Sequence, residues 1–229
     1  MKQTKLFLPF VPIAISLFLP MLTFALYCIG YTVSLFNYTL CSLIYTLFFV
    51  ALCHVILKKA TFCKALAFLP FFSLLNLAVY VFKSKSVVAF ICMSICFVYS
   101  AVIAEKACNS TKAKIASVLT HTVLFVPFLI VSLTFLTLGN FGVNSVIDRI
   151  YSPDKTYYAE IVDIDQGALG GETVVYAHRS NKLNLLILTV SKTPQRLYVG
   201  EWKEYETMQV KWEDENCLLI NSEEHHIDI

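Results

Sequence analysis

The sequence predicts an α-helical multispanning membrane region of about five transmembrane helices followed by a small antiparallel all-β domain, divided as 1–139 and 140–229. Three observations lead there. Five long apolar runs are punctuated by Lys clusters, the pattern of a multispanning helical membrane protein. The charge balance reverses near residue 138: ten Lys, one Glu and no Arg or Asp precede it, and eight Lys or Arg against fifteen Asp or Glu follow. Beyond Gly139 the apolar period becomes two and turn residues recur every eight to twelve positions.

The first run, roughly 6–30, follows Lys2 and Lys5. It exceeds the about 7–15 apolar residues of a signal peptide and has no small-x-small site behind it, so it reads as a retained helix. The runs 34–57, 65–82, 87–104 and 115–138 follow. At about 1.5 Å per residue each reaches about 27 Å or more, enough for a hydrocarbon core of about 30 Å with modest thinning or tilt. The third and fourth are parted only by Lys83-Ser84-Lys85-Ser86, which fits either a tight helical hairpin or a re-entrant pair. Four and six spans are therefore the rivals to five.

Orientation follows from the Lys residues. A cytoplasmic N-terminus leaves Lys2, Lys5, Lys58, Lys59, Lys64, Lys106, Lys112 and Lys114 inside, and only Lys83 and Lys85 outside. Eight against two obeys the positive-inside rule, and five spans then carry the C-terminal domain out of the cytoplasm. The expected localisation is a multi-pass protein of the cell membrane with an extracytoplasmic β domain.

Ion-coupled transport needs charged partners within the spans, and the span interiors hold no Asp, Glu, Lys or Arg. Asn76 reads as an interhelical hydrogen-bond partner, and His54 and His121 as near-interface side chains. Seven of the eight Cys lie in this region and read as small apolar residues. Cys92 and Cys96 share a helical face but lack a converging His or carboxylate. Cys217 is alone in the polar domain, which excludes a disulfide within it.

In that domain the strand candidates are Tyr157–Ile164, Thr173–His178, Leu185–Val190, Arg196–Val199, Thr207–Trp212 and Cys217–Ile220, with a last short strand at Ile227 and Ile229. Ser152-Pro153-Asp154 opens the first as a type I turn, and Asp214-Glu215-Asn216 reads as a tight turn. The most unusual segment is Asp163-Ile164-Asp165-Gln166-Gly167-Ala168-Leu169-Gly170-Gly171-Glu172. Its glycines permit positive φ or close approach, and three carboxylates flank them. The spacing fails an EF-hand, because Gly falls where a third ligand belongs, and it misses the dinucleotide and phosphate-loop patterns. A structured turn is the reading, with Asp163, Asp165, Gln166, Gly167, Gly170, Gly171, Glu172 and Trp202 as the surface for a ligand or partner. No metal site, cofactor or catalytic residue is expected: the Ser residues lack a nucleophile elbow, and His178, His225 and His226 lack motif partners.

Tyr151-Ser152-Pro153-Asp154, Tyr157-Tyr158-Ala159-Glu160, Asp165-Gln166-Gly167-Ala168-Leu169-Gly170-Gly171, Trp202, Thr207-Met208 and Trp212 together resemble the bacterial family catalogued as domain of unknown function 5412. The resemblance covers about residues 148–229 and leaves the five spans unmatched. Lys155-Thr156 stands where such turns usually carry a Gly. The resemblance implies a membrane-anchored β domain outside the cell and supplies no activity. The functional expectation is a non-enzymatic envelope protein whose helices anchor a domain that binds a partner or envelope ligand. The expected partners are the lipid bilayer and a protein of the envelope, with no nucleic acid. The alternative is a channel, a transporter or an accessory subunit of a membrane complex.

Overall fold

The computed structural model describes residues 7–59, 62–138, 143–167 and 170–229. Lys2 and Lys5 of the orientation argument, and Ala168 and Leu169 of the Gly-rich segment, lie outside the described residues. The chain divides into two compact units, one of residues 1–25 and 35–138, the other of Leu26–Ser34 with Gly139–Ile229.

The first unit holds five helices long and apolar enough to cross a membrane. They are α1 (Val11–Cys28), α2 (Tyr38–Lys59), α3 (Leu69–Ser84), α4 (Val87–Ala107) and α5 (Thr111–Leu138). A 3-10 turn at Lys64–Phe68 lengthens the α3 span. The starts of α2, α4 and α5 are set by side chains that satisfy orphan backbone donors. Asn37 Oδ1 accepts from Leu40 N–H at 3.0 Å, and Ser110 Oγ from Ala113 N–H at 3.2 Å. Lys83-Ser84-Lys85-Ser86 forms the tight hairpin: Lys85 closes α3 at φ +50°, and Ser86 caps α4.

α4 packs against α2, α3 and α5, and small polar groups bridge the bundle. Ser16 and Tyr45 hydroxyls lie 3.0 Å apart, and the Cys96 thiol donates to Thr46 Oγ1 at 3.5 Å. Asn76, expected to bridge helices, is buried near Tyr45 with neither amide atom in hydrogen-bonding geometry. The outward faces carry Leu47, Phe48, Val98 and Val123, all exposed, as a surface solvated by acyl chains permits.

The second unit contains three antiparallel sheets. Strands β2 (Val143–Tyr151), β3 (Tyr157–Asp165), β4 (Gly171–Arg179) and β7 (Gln195–Glu201) form a four-stranded sheet in the order β2-β3-β4-β7. Strands β8 (Val210–Trp212), β9 (Cys217–Ile220) and β10 (Glu223–His226) form a meander. Ala159, Ile161, Val175 and Ala177 of the first sheet pack against Trp212, Leu218, Ile220 and Ile227 in one buried core.

The third sheet joins β5 (Lys182–Asn184) and β6 (Leu188–Lys192) to β1 (Tyr31–Leu35) in the order β1-β6-β5. β1 is the connection between α1 and α2, a segment without charged residues. Thr193 N–H donates to Gly30 O at 3.0 Å, and the Thr32 and Ser191 hydroxyls lie 3.1 Å apart. Positions rise along β1 as they fall along β6, so the pairing is antiparallel.

Several strand expectations need correction. Leu185–Val190 is not one strand: Leu185 and Leu188 exchange backbone hydrogen bonds across a two-residue turn, Leu186-Ile187, and β6 begins only at Leu188. An all-apolar run without Gly, Asn or Pro carries no turn signal, which is why it reads as strand. Thr207 and Met208 instead donate their backbone N–H groups to Glu204 O, closing a 3-10 turn at Glu204–Glu206, and the strand shortens to Val210–Trp212. The last strand is Glu223–His226, opened by Asn221 and Ser222 at positive φ, and not Ile227 with Ile229.

Candidate functional site: a basic cavity and an acidic turn

The Gly-rich segment is the β3–β4 hairpin turn. Asp165 Oδ1 accepts from Gly167 N–H at 2.7 Å, Gln166 N–H donates to Gly170 O at 2.8 Å, and Gly170 N–H donates to Gly167 O at 3.1 Å. Gly167 and Gly170 sit at φ +64° and +92°, the left-handed region that glycine occupies without a Cβ penalty. Gly171 serves contact: a Cβ there would fall on the Trp202 ring and on Ile164 O. Glu172 pairs with Arg196 at 3.4 Å, and Asp163 is buried in mid-strand opposite Thr173. The three carboxylates are thus spent separately and form no cation-ligating group among the described residues. Trp202, 44 % exposed under the Lys203 ammonium at 4.8 Å, leaves one aromatic face of this end open.

One cluster that could hold a metal ion does occur, on β9 and β10. The register puts His226 opposite Cys217, and the Cys217 Sγ, a Glu224 oxygen and a His226 nitrogen lie within 4.8 Å of one another. A divalent ion would take Cys217 as thiolate. Burial raises the thiol pKa, and Glu213, Glu224 and Asp214 raise it further, so the thiol form is favoured.

At the far end of β4 a different surface forms, unmarked in the sequence reading. Between Glu172 and Glu201 the chain carries no acid, while Arg179, Lys182, Lys192 and Arg196 fall within that stretch. Three of the four converge. Arg179, Asn181, Lys182, Leu183, Val190, Lys192 and Tyr31 line a cavity of about 370 Å³ without a carboxylate. Lys192 Nζ stands 4.9 Å above the Tyr31 ring, a cation–π contact. Lys182 Nζ lies 5.7 Å from the Tyr158 ring centroid and donates to Tyr158 Oη at 3.4 Å. Arg179 Nε is buried without a hydrogen-bond partner. Among the described residues none of the three cations has an ion-pair partner within 4.0 Å.

His178 registers this field. It stacks on Tyr158 at 4.8 Å and 5°, with Nε2 3.3 Å from Glu160. Burial lowers its pKa; Glu160 opposes that, and Lys182 and Arg149 push it down again. His178 is therefore neutral at pH 7. Such an arrangement has the donors to bind an anion: guanidinium and ammonium groups around a cavity suit phosphate or carboxylate oxygens.

In the helical unit, a second cavity of about 260 Å³ between α4 and α5 brings Glu105 and His121 into one lining. No family model, curated protein or solved structure matches this chain.

Proposed function

We propose that this protein is a non-enzymatic, multi-pass protein of the cell membrane that holds its β unit on the extracytoplasmic face to bind an anionic envelope ligand. The observation that carries the reading is the pairing of β1 with β6. β1 connects α1 to α2, so the β unit and the first inter-helix connection share one face of the membrane. An even number of crossings must then separate them, which α2 to α5 satisfy. The described Lys residues support that face being outside: Lys58, Lys59, Lys64, Lys106, Lys112 and Lys114 fall on the opposite side, against Lys83 and Lys85 on this one. The acid-free cavity of Arg179, Lys182 and Lys192 supplies the ligand chemistry, and Trp202 offers a second contact at the other end of β4.

An impermeant thiol reagent tests the reading in intact cells. In a chain freed of native Cys, the exposed positions Glu215→Cys and Ser110→Cys report the two faces. Labelling is expected at Glu215→Cys and protection at Ser110→Cys; the reverse pattern would overturn the orientation.

A further inference from the structure

Resting on the reading that the β unit shares the face of the first inter-helix connection, we infer that the sheet β1-β6-β5 lies in the headgroup layer of the bilayer. Its Leu185-Leu186-Ile187 turn enters the acyl boundary, and Arg179, Lys182 and Lys192 hold the phosphates of anionic lipids.

The tether sets the depth. β1 begins three residues after Cys28, the end of α1, and ends three residues before Tyr38, the start of α2. Extended chain covers at most about 3.6 Å per residue, so each end of β1 stays within about 11 Å of the end of a span. β6 is bonded along β1 and β5 along β6, so all three strands are held at that level. The sheet has no room to leave the interface unless its ladder breaks.

Its composition suits that place. The turn residue Leu186 is fully exposed (102 %), and Leu183, Leu185 and Ile187 are each more than half exposed. Two-residue hairpin turns in water select Asn, Asp or Gly, which accept positive φ and solvate their own backbone. Leu186 and Ile187 keep negative φ and offer solvent only hydrocarbon. Ile29 and Tyr27, beside the strand, are likewise exposed. Tyr27 and Tyr31 supply the amphipathic rings that settle at headgroup depth.

Charge completes the match. The domain is net negative, and an anionic leaflet would repel it as a whole. Yet no acid lies between Glu172 and Glu201, and three of the cations in that stretch gather at the base of the β5–β6 hairpin, where Lys182 pairs with Ser191, a few residues back from the apolar turn. A hydrocarbon tip with Lys and Arg set back at its base is the composition of an interfacial anchor, with each cation attracted to anionic headgroups. The buried, unpartnered Arg179 Nε–H is then a donor for a phosphate oxygen.

The test uses the full chain in nanodiscs of phosphatidylcholine, with and without phosphatidylglycerol. A nitroxide at Leu186→Cys in the Cys-free chain should collide more with oxygen than with an aqueous nickel chelate, and a nitroxide at Glu215→Cys should do the reverse. Hydrogen exchange across 182–192 of the unmodified chain, which needs no Cys removal, should slow several-fold when phosphatidylglycerol is present. The Arg179→Gln, Lys182→Gln, Lys192→Gln triple variant should lose that slowing. A Leu186 label as accessible to nickel as the Glu215 label would overturn insertion and leave the exposed turn to a protein partner. Insertion without any phosphatidylglycerol dependence would overturn the headgroup assignment. Both readouts are indifferent to which face of the membrane carries the sheet. They therefore fail independently of the thiol-labelling test.

Discussion

The indole N–H of Trp212 donates to the backbone carbonyl of Ile150 at 3.0 Å, bonding β8 to β2 and so joining two sheets across the core they share. Trp212→Phe keeps most of the buried ring and removes the bond. The expected cost is about 1–2 kcal/mol, the usual effect of stranding a buried acceptor. Trp212→Ala also opens a cavity and should cost about 3–5 kcal/mol. Denaturant unfolding in detergent, followed by near-ultraviolet circular dichroism, measures both; a Trp212→Phe variant as stable as the wild type would mean the hydrogen bond contributes nothing.

The turn glycines separate conformation from contact. Gly170 has open space around it but φ +92°, so Gly170→Ala should lose about 1–2 kcal/mol from backbone strain alone. Gly171 has ordinary φ, but its place for a Cβ is filled by the Trp202 ring. Gly171→Ala should therefore displace Trp202 and alter its fluorescence, whereas Gly170→Ala should leave that emission unchanged. Thermal melts paired with emission spectra decide between the two accounts.

Acid stability should carry a component from Asp154. Its carboxylate accepts from the Thr156 hydroxyl and then from Ser152 Oγ–H and Thr156 N–H, which hold its pKa down to about 2. A carboxylate depressed on folding stabilises above its unfolded pKa, about 4, and loses that contribution as pH falls towards its folded value. The wild type should therefore lose stability between about pH 4 and pH 2 more steeply than Asp154→Asn. Parallel pH profiles of the two proteins would refute the assignment.

The donation from Thr193 N–H to Gly30 O predicts that the β unit depends on a segment far from it in sequence. Replacing Tyr31–Leu35 by a Gly-Ser linker of equal length should speed exchange of the Thr193 amide roughly fivefold, the effect of losing one protecting bond of about 1 kcal/mol. The amide of Val175 in the four-stranded sheet should be unaffected. Residue-resolved hydrogen exchange is the measurement.

The spans were legible because hydrocarbon tolerates no interruption, so Val11–Cys28 or Val87–Ala107 must appear as continuous apolar runs. β3 and β4 were legible from alternation, and each extends only slightly beyond its expected ends. What stayed hidden depends on partners distant in sequence. Tyr31–Leu35 is five residues without a local strand signal, and only β6 makes it a strand. The Leu186-Ile187 turn was masked by its apolar residues, and Lys155 takes φ +60° without the Gly that would signal a left-handed position. Of the expected contact residues, Gly167, Gly170 and Asp165 build the turn and Trp202 remains open, whereas the basic cavity was written in the acid-free stretch before any coordinates. The convergence of Tyr31 on Lys192 could not be read there, because it depends on the pairing of β1 with β6.

Thr32 and Ser191 meet across 159 positions of chain. At about 5–20 residues per second, Thr32 leaves the ribosome on the order of ten to thirty seconds before its partner exists. During that interval four further apolar helices must emerge, and β1 has no strand to pair with. On the topology proposed above, closure of this ladder would serve as an end-point check on insertion: a chain with one helix missed would hold the two hydroxyls on opposite sides of the bilayer.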